Sequence, residues 1–261
     1  MVKKFLVLGS CRVVNTIACN IGDNILVNQN DLWFTHYPQE HAQKVKHIFG
    51  VQRLPSEHTE LLLRLEQQAH YKSFNDLHVA KSVQEGGSTL ITGDASGTLN
   101  VVVELATLRF IRMQTDDGVL WGHTSSMGLI RKSKLEHEVA RATDEQYIAE
   151  LVEFERVVQK CVSQANVAES VNFVYVPHTP FIEHNEGGWI KAEPRAHIRT
   201  LIKQHCENPV PTGIMPVTRN SLDTESMIME HGGIESMLKD QDHYTPHGRQ
   251  TAFEHLSELT V

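Results

Sequence analysis

Short apolar runs that alternate with amphipathic helical stretches constrain this chain most. The first run, residues 5–8 in KKFLVLGSCRVVN (3–15), is four apolar residues long. That is too short for a helix and typical of a strand buried on both faces. Gly9 and Ser10 end it, and Val13, Val14, Ile17, Ala18 and Ile21 then recur at helical spacing as far as Gly22. The alternation returns downstream. NVVVELATLRFI (100–111) reads as a second strand, NFVYVPHTPF (172–181) as a third ending on Pro177, His178 and Thr179, and TGIMPVT (212–218) as a fourth. Between and after them, residues 144–162 carry Tyr147, Ile148, Leu151, Phe154, Val158 and Val162 on one helical stripe. PRAHIRTLIKQHC (194–206) opens with Pro at a first helical turn, and RQTAFEHLSEL (249–259) closes the chain. Strands alternating with helices predict an α/β fold: a doubly wound, mostly parallel sheet with helices on both faces. Ligands of such sheets bind beyond the carboxyl ends of the strands. Ser10, Thr107, Arg109 and His178 are therefore expected on one rim.

At 261 residues the chain is long enough for one domain with insertions, roughly at 28–98 and 113–140. In the first, HYPQEHAQKVKHIFG (36–50) and HTELLLRLEQQAHY (58–71) read as helices. His36, Tyr37, Glu40 and Gln43 are candidates for a substrate-facing helix. EGGSTLITGDASGTLN (85–100) reads as a glycine-rich hairpin or loop, and MQTDDGVLWGHTSSMG (113–128) as a long loop. The net charge of −8 argues against a nucleic-acid or anionic-membrane partner. Four cysteines, at 11, 19, 161 and 206, form no CxxC pair, so no zinc knuckle or thioredoxin-type motif is present. Their sparseness suggests reduced thiols and the cytoplasm. The N-terminal apolar run falls short of the roughly 7–15 residues of a leader core. No stretch approaches the ~20 apolar residues of a membrane span.

Chemistry-bearing residues concentrate near the two ends. LKDQDHYTPHGRQTAFEHL (238–256) offers Asp240, His243 three positions later, and Gly248 at the start of a helix. A nucleophilic hydroxyl needs a base for its proton and a carboxylate that fixes the base's tautomer. Asp240 and His243 supply both, provided their loop returns to the end of the first strand.

The Gly-Ser turn after strand one, combined with Asp-x-x-His-(x)4-Gly before a final helix, resembles the SGNH/GDSL hydrolase superfamily. Gly9-Ser10-Cys11 is similar to the branch in which Gly-Ser-Cys replaces Gly-Asp-Ser. The resemblance implies a flavodoxin-like three-layer sheet and ester or acyl-transfer chemistry without a cofactor. Ser10 would be the nucleophile, His243 the base that later protonates the leaving alkoxide, and Asp240 its orienting carboxylate. Water as acceptor gives an esterase and a sugar hydroxyl an O-acyltransferase. An O-acyl carbohydrate is the substrate class the family implies. Two departures stand out. The family's second block finds only Gly97, close to the next strand, and its third-block Asn has no counterpart in ELATLRF (104–110). Oxyanion stabilisation would then fall to the Ser10 backbone N–H with Arg12, Thr107 or Arg109, and Cys11 and His178 join them as candidate binding residues.

Other readings of the same residues remain open. Ser10 is also a preferred N-cap residue. Cys11 is either a small buried thiol or a rival nucleophile. Asp240, Asp242, His243, His247 and His178 offer donors for a hard-metal phosphoesterase site. Arg12 and Arg109 near a helix N-terminus would suit a non-catalytic module that holds a carboxylate or phosphate.

Overall fold

A computed structural model describes residues 2–28, 35–52, 96–116, 118–122, 131 and 135–261. The predicted helix at 58–71, most of the glycine-rich stretch and residues 123–128 lie outside the described residues. In chain order the elements are β1 (Lys4–Leu8), α1 (Cys11–Ala18), β2 (Ile25–Leu26), α2 (Pro38–Ile48), β3 (Thr98–Leu105), β4 (Arg109–Thr115), β5 (Gly118–Gly122) and β6 (His137–Arg141). There follow α3 (Asp144–Ala165), β7 (Ser170–Pro177), β8 (Phe181–Glu183), β9 (Trp189–Lys191), α4 (Glu193–Glu207) and β10 (Val217–Ser221). The chain closes with α5 (Thr224–Glu230), α6 (Ile234–Met237), β11 (Leu238–Asp240), β12 (His243–Tyr244) and α7 (Pro246–Leu259).

Five strands form one all-parallel sheet in the order β2-β1-β3-β7-β10. Side-chain alternation divides its residues between two faces. Leu6, Leu8, Val101, Val103, Phe173 and Tyr175 pack under α2, α3 and α4. Phe5, Val7, Val102, Val174 and Val176 pack against α1, α5, α6 and α7. Both faces are thus covered by helices, which is why β1, β3 and β7 read as continuous apolar runs.

Three expectations need correction. The run 100–111 is not one strand. β3 ends at Leu105, and β4 starts at Arg109 and pairs antiparallel with β5 and β6 in a separate three-stranded sheet. The apolar pattern is continuous because both sides of the break are buried, so hydropathy alone hides it. The expected loop at 113–128 contains the β4–β5 hairpin, with Thr115 paired to Gly118. The fourth parallel strand is Val217–Ser221, and 212–216 is irregular chain leading into it. Pro216 has no N–H to donate, and its carbonyl accepts from the Val171 N–H at 3.0 Å just before the edge strand begins.

The C-terminal segment is pinned beneath the sheet by a row of buried amides. Asn172 Nδ2 donates to Asn100 Oδ1 at 2.9 Å and to the Leu259 carbonyl at 2.9 Å, and Asn100 Nδ2 donates to the Val261 carbonyl at 2.8 Å. Lys3 Nζ adds the carbonyls of Ser257 and Thr260, both at 2.9 Å. The far end of α7 therefore sits at the amino edge of the sheet, and its first turn lies on the carboxyl side, where α7 packs on α6 and α1. Gly248 makes that approach possible. A Cβ there would lie 2.1 Å from the Met237 carbonyl oxygen. Thr245 locks the same junction: its N–H bonds the Met237 carbonyl at 3.0 Å, and its Oγ1 caps α7 through the Gly248 N–H at 2.9 Å.

A second polar centre holds the α3 layer. Buried Glu155 accepts from Tyr175 Oη at 2.7 Å, His205 Nε2 at 2.8 Å, Arg219 Nε at 2.8 Å and Arg219 Nη2 at 2.6 Å. Burial pushes the Glu155 pKa up, but the hydrogen bonds from His205 and Arg219 outweigh it and leave the carboxyl below its ordinary range.

Two outcomes are expected. Gly248→Ala should lose about 1–3 kcal/mol through overpacking, read as a lower denaturant midpoint. A depressed carboxylate pKa contributes stability that is complete above the unfolded value, about 4.3. That stability is lost as pH falls through the folded value. Glu155→Gln should therefore be destabilised near neutrality, and the gap to wild type should narrow in urea titrations on acidification. A gap unchanged from about pH 7 to about pH 3 would contradict this.

Candidate functional site

The site forms at the carboxyl ends of β1 and β3, where the strand order reverses: from β1 the sheet grows through β2 on one side and through β3 on the other. The β1–α1 turn is built for close approach. Gly9 has no positive φ, but a Cβ on it would sit 2.6 Å from Glu104 Cβ. Its absence lets the Glu104 side chain reach the turn from β3. Ser10 is the N-cap of α1, with extended backbone, and its Oγ accepts from the Arg12 N–H at 3.3 Å. The Ser10 N–H donates to Glu104 Oε2 at 2.7 Å, and its hydroxyl also hydrogen-bonds Glu104 Oε2. The backbone donor expected to meet an oxyanion is therefore taken up by a carboxylate. Cys11 opens α1, and its side chain lies outside the described residues.

Arg12 is buried in the first turn of α1 and reaches three segments. Its Nε lies 3.8 Å from Glu104 Oε1 on β3, and its Nη2 hydrogen-bonds His178 Nε2 just past β7. Nε and Nη2 also donate to the carbonyls of Asp242 and Gln241, each at 3.3 Å, in the β11–β12 turn. Its guanidinium stands 5.3 Å over the Tyr244 ring. Nη1 finds no hydrogen-bond acceptor among the described residues.

Arg195, in the first turn of α4, completes the frame. Nη1 donates to the carbonyls of Phe181 and Gln241, both at 3.2 Å, and Nη2 to Asp242 Oδ1 at 3.2 Å. Two guanidiniums thus grip the turn that joins Asp240 to His243. Within that hairpin His243 Nδ1 lies 2.8 Å and 2.9 Å from the two Asp240 oxygens. The carboxylate accepts from Nδ1–H and so orients the ring. Partial burial raises the Asp240 pKa, but the Asp242 N–H and His243 outweigh it and hold the carboxyl below its usual range. Asp240 and His243 are each about one-third exposed, but the His243 Nε2 atom itself is buried.

His178 is neutral here. Burial, then the charges of Arg12 and Arg195, drive its pKa well below the ordinary histidine value. Arg12 donates to Nε2, while Nδ1 faces the Thr179 carbonyl at 3.4 Å.

The fold therefore brings Ser10, Arg12, His178, Asp240 and His243 to one rim, linked through Arg12. It does not do so for Arg109. Arg109 is exposed at the head of β4, where the chain has left the parallel sheet, and no ion pair joins it to these residues. Thr107 is half-buried, and its Oγ1 accepts from the Arg109 N–H at 2.8 Å, which shapes the β3–β4 corner. Tyr37 and Glu40 of the supposed substrate-facing helix are buried. Tyr37 packs among Phe110, Trp121 and Tyr147, and Gln43 bonds the Trp121 backbone. His36 gives its N–H to Glu40 at 2.9 Å. Burial raises the Glu40 pKa to about 8. Among the described residues no group of three or more His, Cys, Asp or Glu is arranged to hold a metal, and His247 is exposed on α7.

Sequence reasoning missed Glu104 and Arg195 as parts of this frame, and offered Asp242 only as a donor for a metal. Glu104 did carry a signal. A charge within VVVEL, in a strand expected to be buried on both faces, needs a partner. Arg195 carried none, because a first-turn arginine on an amphipathic helix reads as solvated.

Elsewhere on the same rim a groove of about 390 Å³ opens between α4 and α5, past the ends of β7 and β10. Its Arg199 is paired with Asp223 and Glu225, and Lys191 with Glu225. No helix among the described residues is long and apolar enough to cross a membrane. Comparison of the chain with family models, with curated proteins and with solved structures returns no match.

Proposed function

We propose that this protein is a serine-dependent esterase or O-acyltransferase of the SGNH type, acting on a small acyl ester of the carbohydrate class. One observation carries the reading: Arg12, two residues beyond Ser10, binds the Gln241 and Asp242 carbonyls of the turn that joins Asp240 to His243, so the acid–imidazole pair shares a rim with the Ser10 turn. The all-parallel order β2-β1-β3-β7-β10, with the site where the order reverses, is compatible with a flavodoxin-like sheet and so supports the same reading.

In this reading Ser10 Oγ attacks the ester carbonyl and holds the acyl group. His243 Nε2, oriented by Asp240, carries protons for the alcohol that leaves and for the water or sugar hydroxyl that replaces it. The Arg12 guanidinium and the dipole at the start of α1 supply the positive field for the developing oxyanion. Neutral His178 hydrogen-bonds Arg12 without adding charge. No cofactor takes part. The acidic balance of the chain fits an uncharged sugar ester better than a nucleic acid.

A second reading, a non-catalytic binding module without turnover, draws on one observation: both the amide and the hydroxyl of Ser10 are engaged by Glu104. Labelling by a fluorophosphonate separates the two. Covalent modification at Ser10 of the folded protein, together with loss of p-nitrophenyl acetate turnover by at least about 10²-fold in Ser10→Ala, is the expected result. Unchanged turnover in that variant would remove Ser10 from the mechanism.

A further inference from the structure

We propose that Glu104 is the base that takes the proton of Ser10, and that the Asp240–His243 pair handles only the protons of the leaving alcohol and of the incoming acceptor. This rests on the reading of Ser10 as nucleophile.

Glu104 Oε2 is hydrogen-bonded to both the N–H and the hydroxyl of Ser10. A carboxylate only accepts, so the hydroxyl proton points at Glu104. A lone pair of Oγ meanwhile faces the Arg12 N–H at 3.3 Å. Base and nucleophile are within direct proton-transfer reach without any rearrangement. The environment of Glu104 is also unlike that of a structural carboxylate. Glu155 in the same molecule has both oxygens saturated by Tyr175, His205 and Arg219. Glu104 is as deeply buried, yet its Oε1 accepts no hydrogen bond among the described residues, and the only described ion pair to it is Arg12 Nε at 3.8 Å. Such incomplete satisfaction of a buried charge is costly and is kept where reactivity needs it. Gly9 contributes the space, since a Cβ there would lie 2.6 Å from Glu104 Cβ and force the two segments apart.

The steps balance. The proposed cycle starts from ionised Glu104 and doubly protonated His243, whose Nδ1–H is held by Asp240. In acylation the Ser10 Oγ–acyl bond forms, the hydroxyl proton passes to Glu104 Oε2, the ester C–O bond breaks, and the alkoxide takes the proton from His243 Nε2. In deacylation the acceptor hydroxyl gives its proton to His243 Nε2 as its oxygen bonds the acyl carbon. The Oγ–acyl bond then breaks, and Oγ recovers its proton from Glu104. Both groups return to their starting states.

The test uses the intact chain and two reactions with different leaving groups. A fluorophosphonate expels fluoride, which needs no acid, whereas an alkyl acetate expels an alkoxide that does. Glu104→Gln keeps an acceptor for the Ser10 N–H but removes the base, and should slow Ser10 labelling by about 10²–10⁴-fold. His243→Gln should label at a rate comparable to wild type while losing alkyl acetate turnover. Loss of labelling in His243→Gln, or wild-type labelling in Glu104→Gln, overturns the proposal and leaves Ser10 as nucleophile. Wild-type protein that is never labelled at Ser10 overturns the nucleophile reading and this proposal with it. Circular dichroism checks that each variant is folded. If Glu104→Gln is not, the His243→Gln labelling rate decides alone.

Discussion

The architecture of the rim depends on one buried cation. The Arg12 guanidinium touches Glu104 at the end of β3, His178 past β7, and Gln241, Asp242 and Tyr244 in the C-terminal hairpin. Taking a guanidinium out of water is unfavourable unless acceptors replace the lost hydration. Here the acceptors lie up to 230 residues along the chain from Arg12, so satisfying one charge fixes where several loops must lie. His178 takes part as a neutral ring because burial, and then two nearby guanidiniums, oppose its protonation.

Two glycines adapt the backbone to that centre, and neither is used for an unusual torsion. Gly9 admits Glu104 to the Ser10 turn, and Gly248 lets α7 start against the Met237 carbonyl. The glycine in the C-terminal block of the sequence is thus a packing device. It brings the α7 start under the β11–β12 hairpin, and Arg12 and Arg195 then grip the hairpin turn from the sheet side. At the opposite edge, Asn100 and Asn172 tie down the last residues, so α7 is held at both ends.

The parallel sheet was legible because β1, β3 and β7 are buried on both faces and read as unbroken apolar runs. The same property concealed the corner between Leu105 and Arg109, since the chain stays apolar as it turns out of one sheet into another. Arg109 was read as a rim residue for that reason, and its own exposure corrects it. Of the site, Ser10, Arg12, His178, Asp240 and His243 could be named from local context: a turn after a strand, a strand end, a short acid–imidazole spacing. Glu104 was visible only as an anomaly, a charge in an apolar run, and Arg195 was not visible at all.

The sequence by itself determined the alternation of strands and helices, the two-sided cover of the sheet and the side-chain types at each strand end, because these follow from local periodicity and burial. Tertiary structure alone decided which charges meet. The partner of Ser10 lies 94 residues away, and the acceptors of Arg12 lie up to 230 residues away. Pairings at such separations are set by how the sheet and its covering helices pack, and no local pattern encodes them.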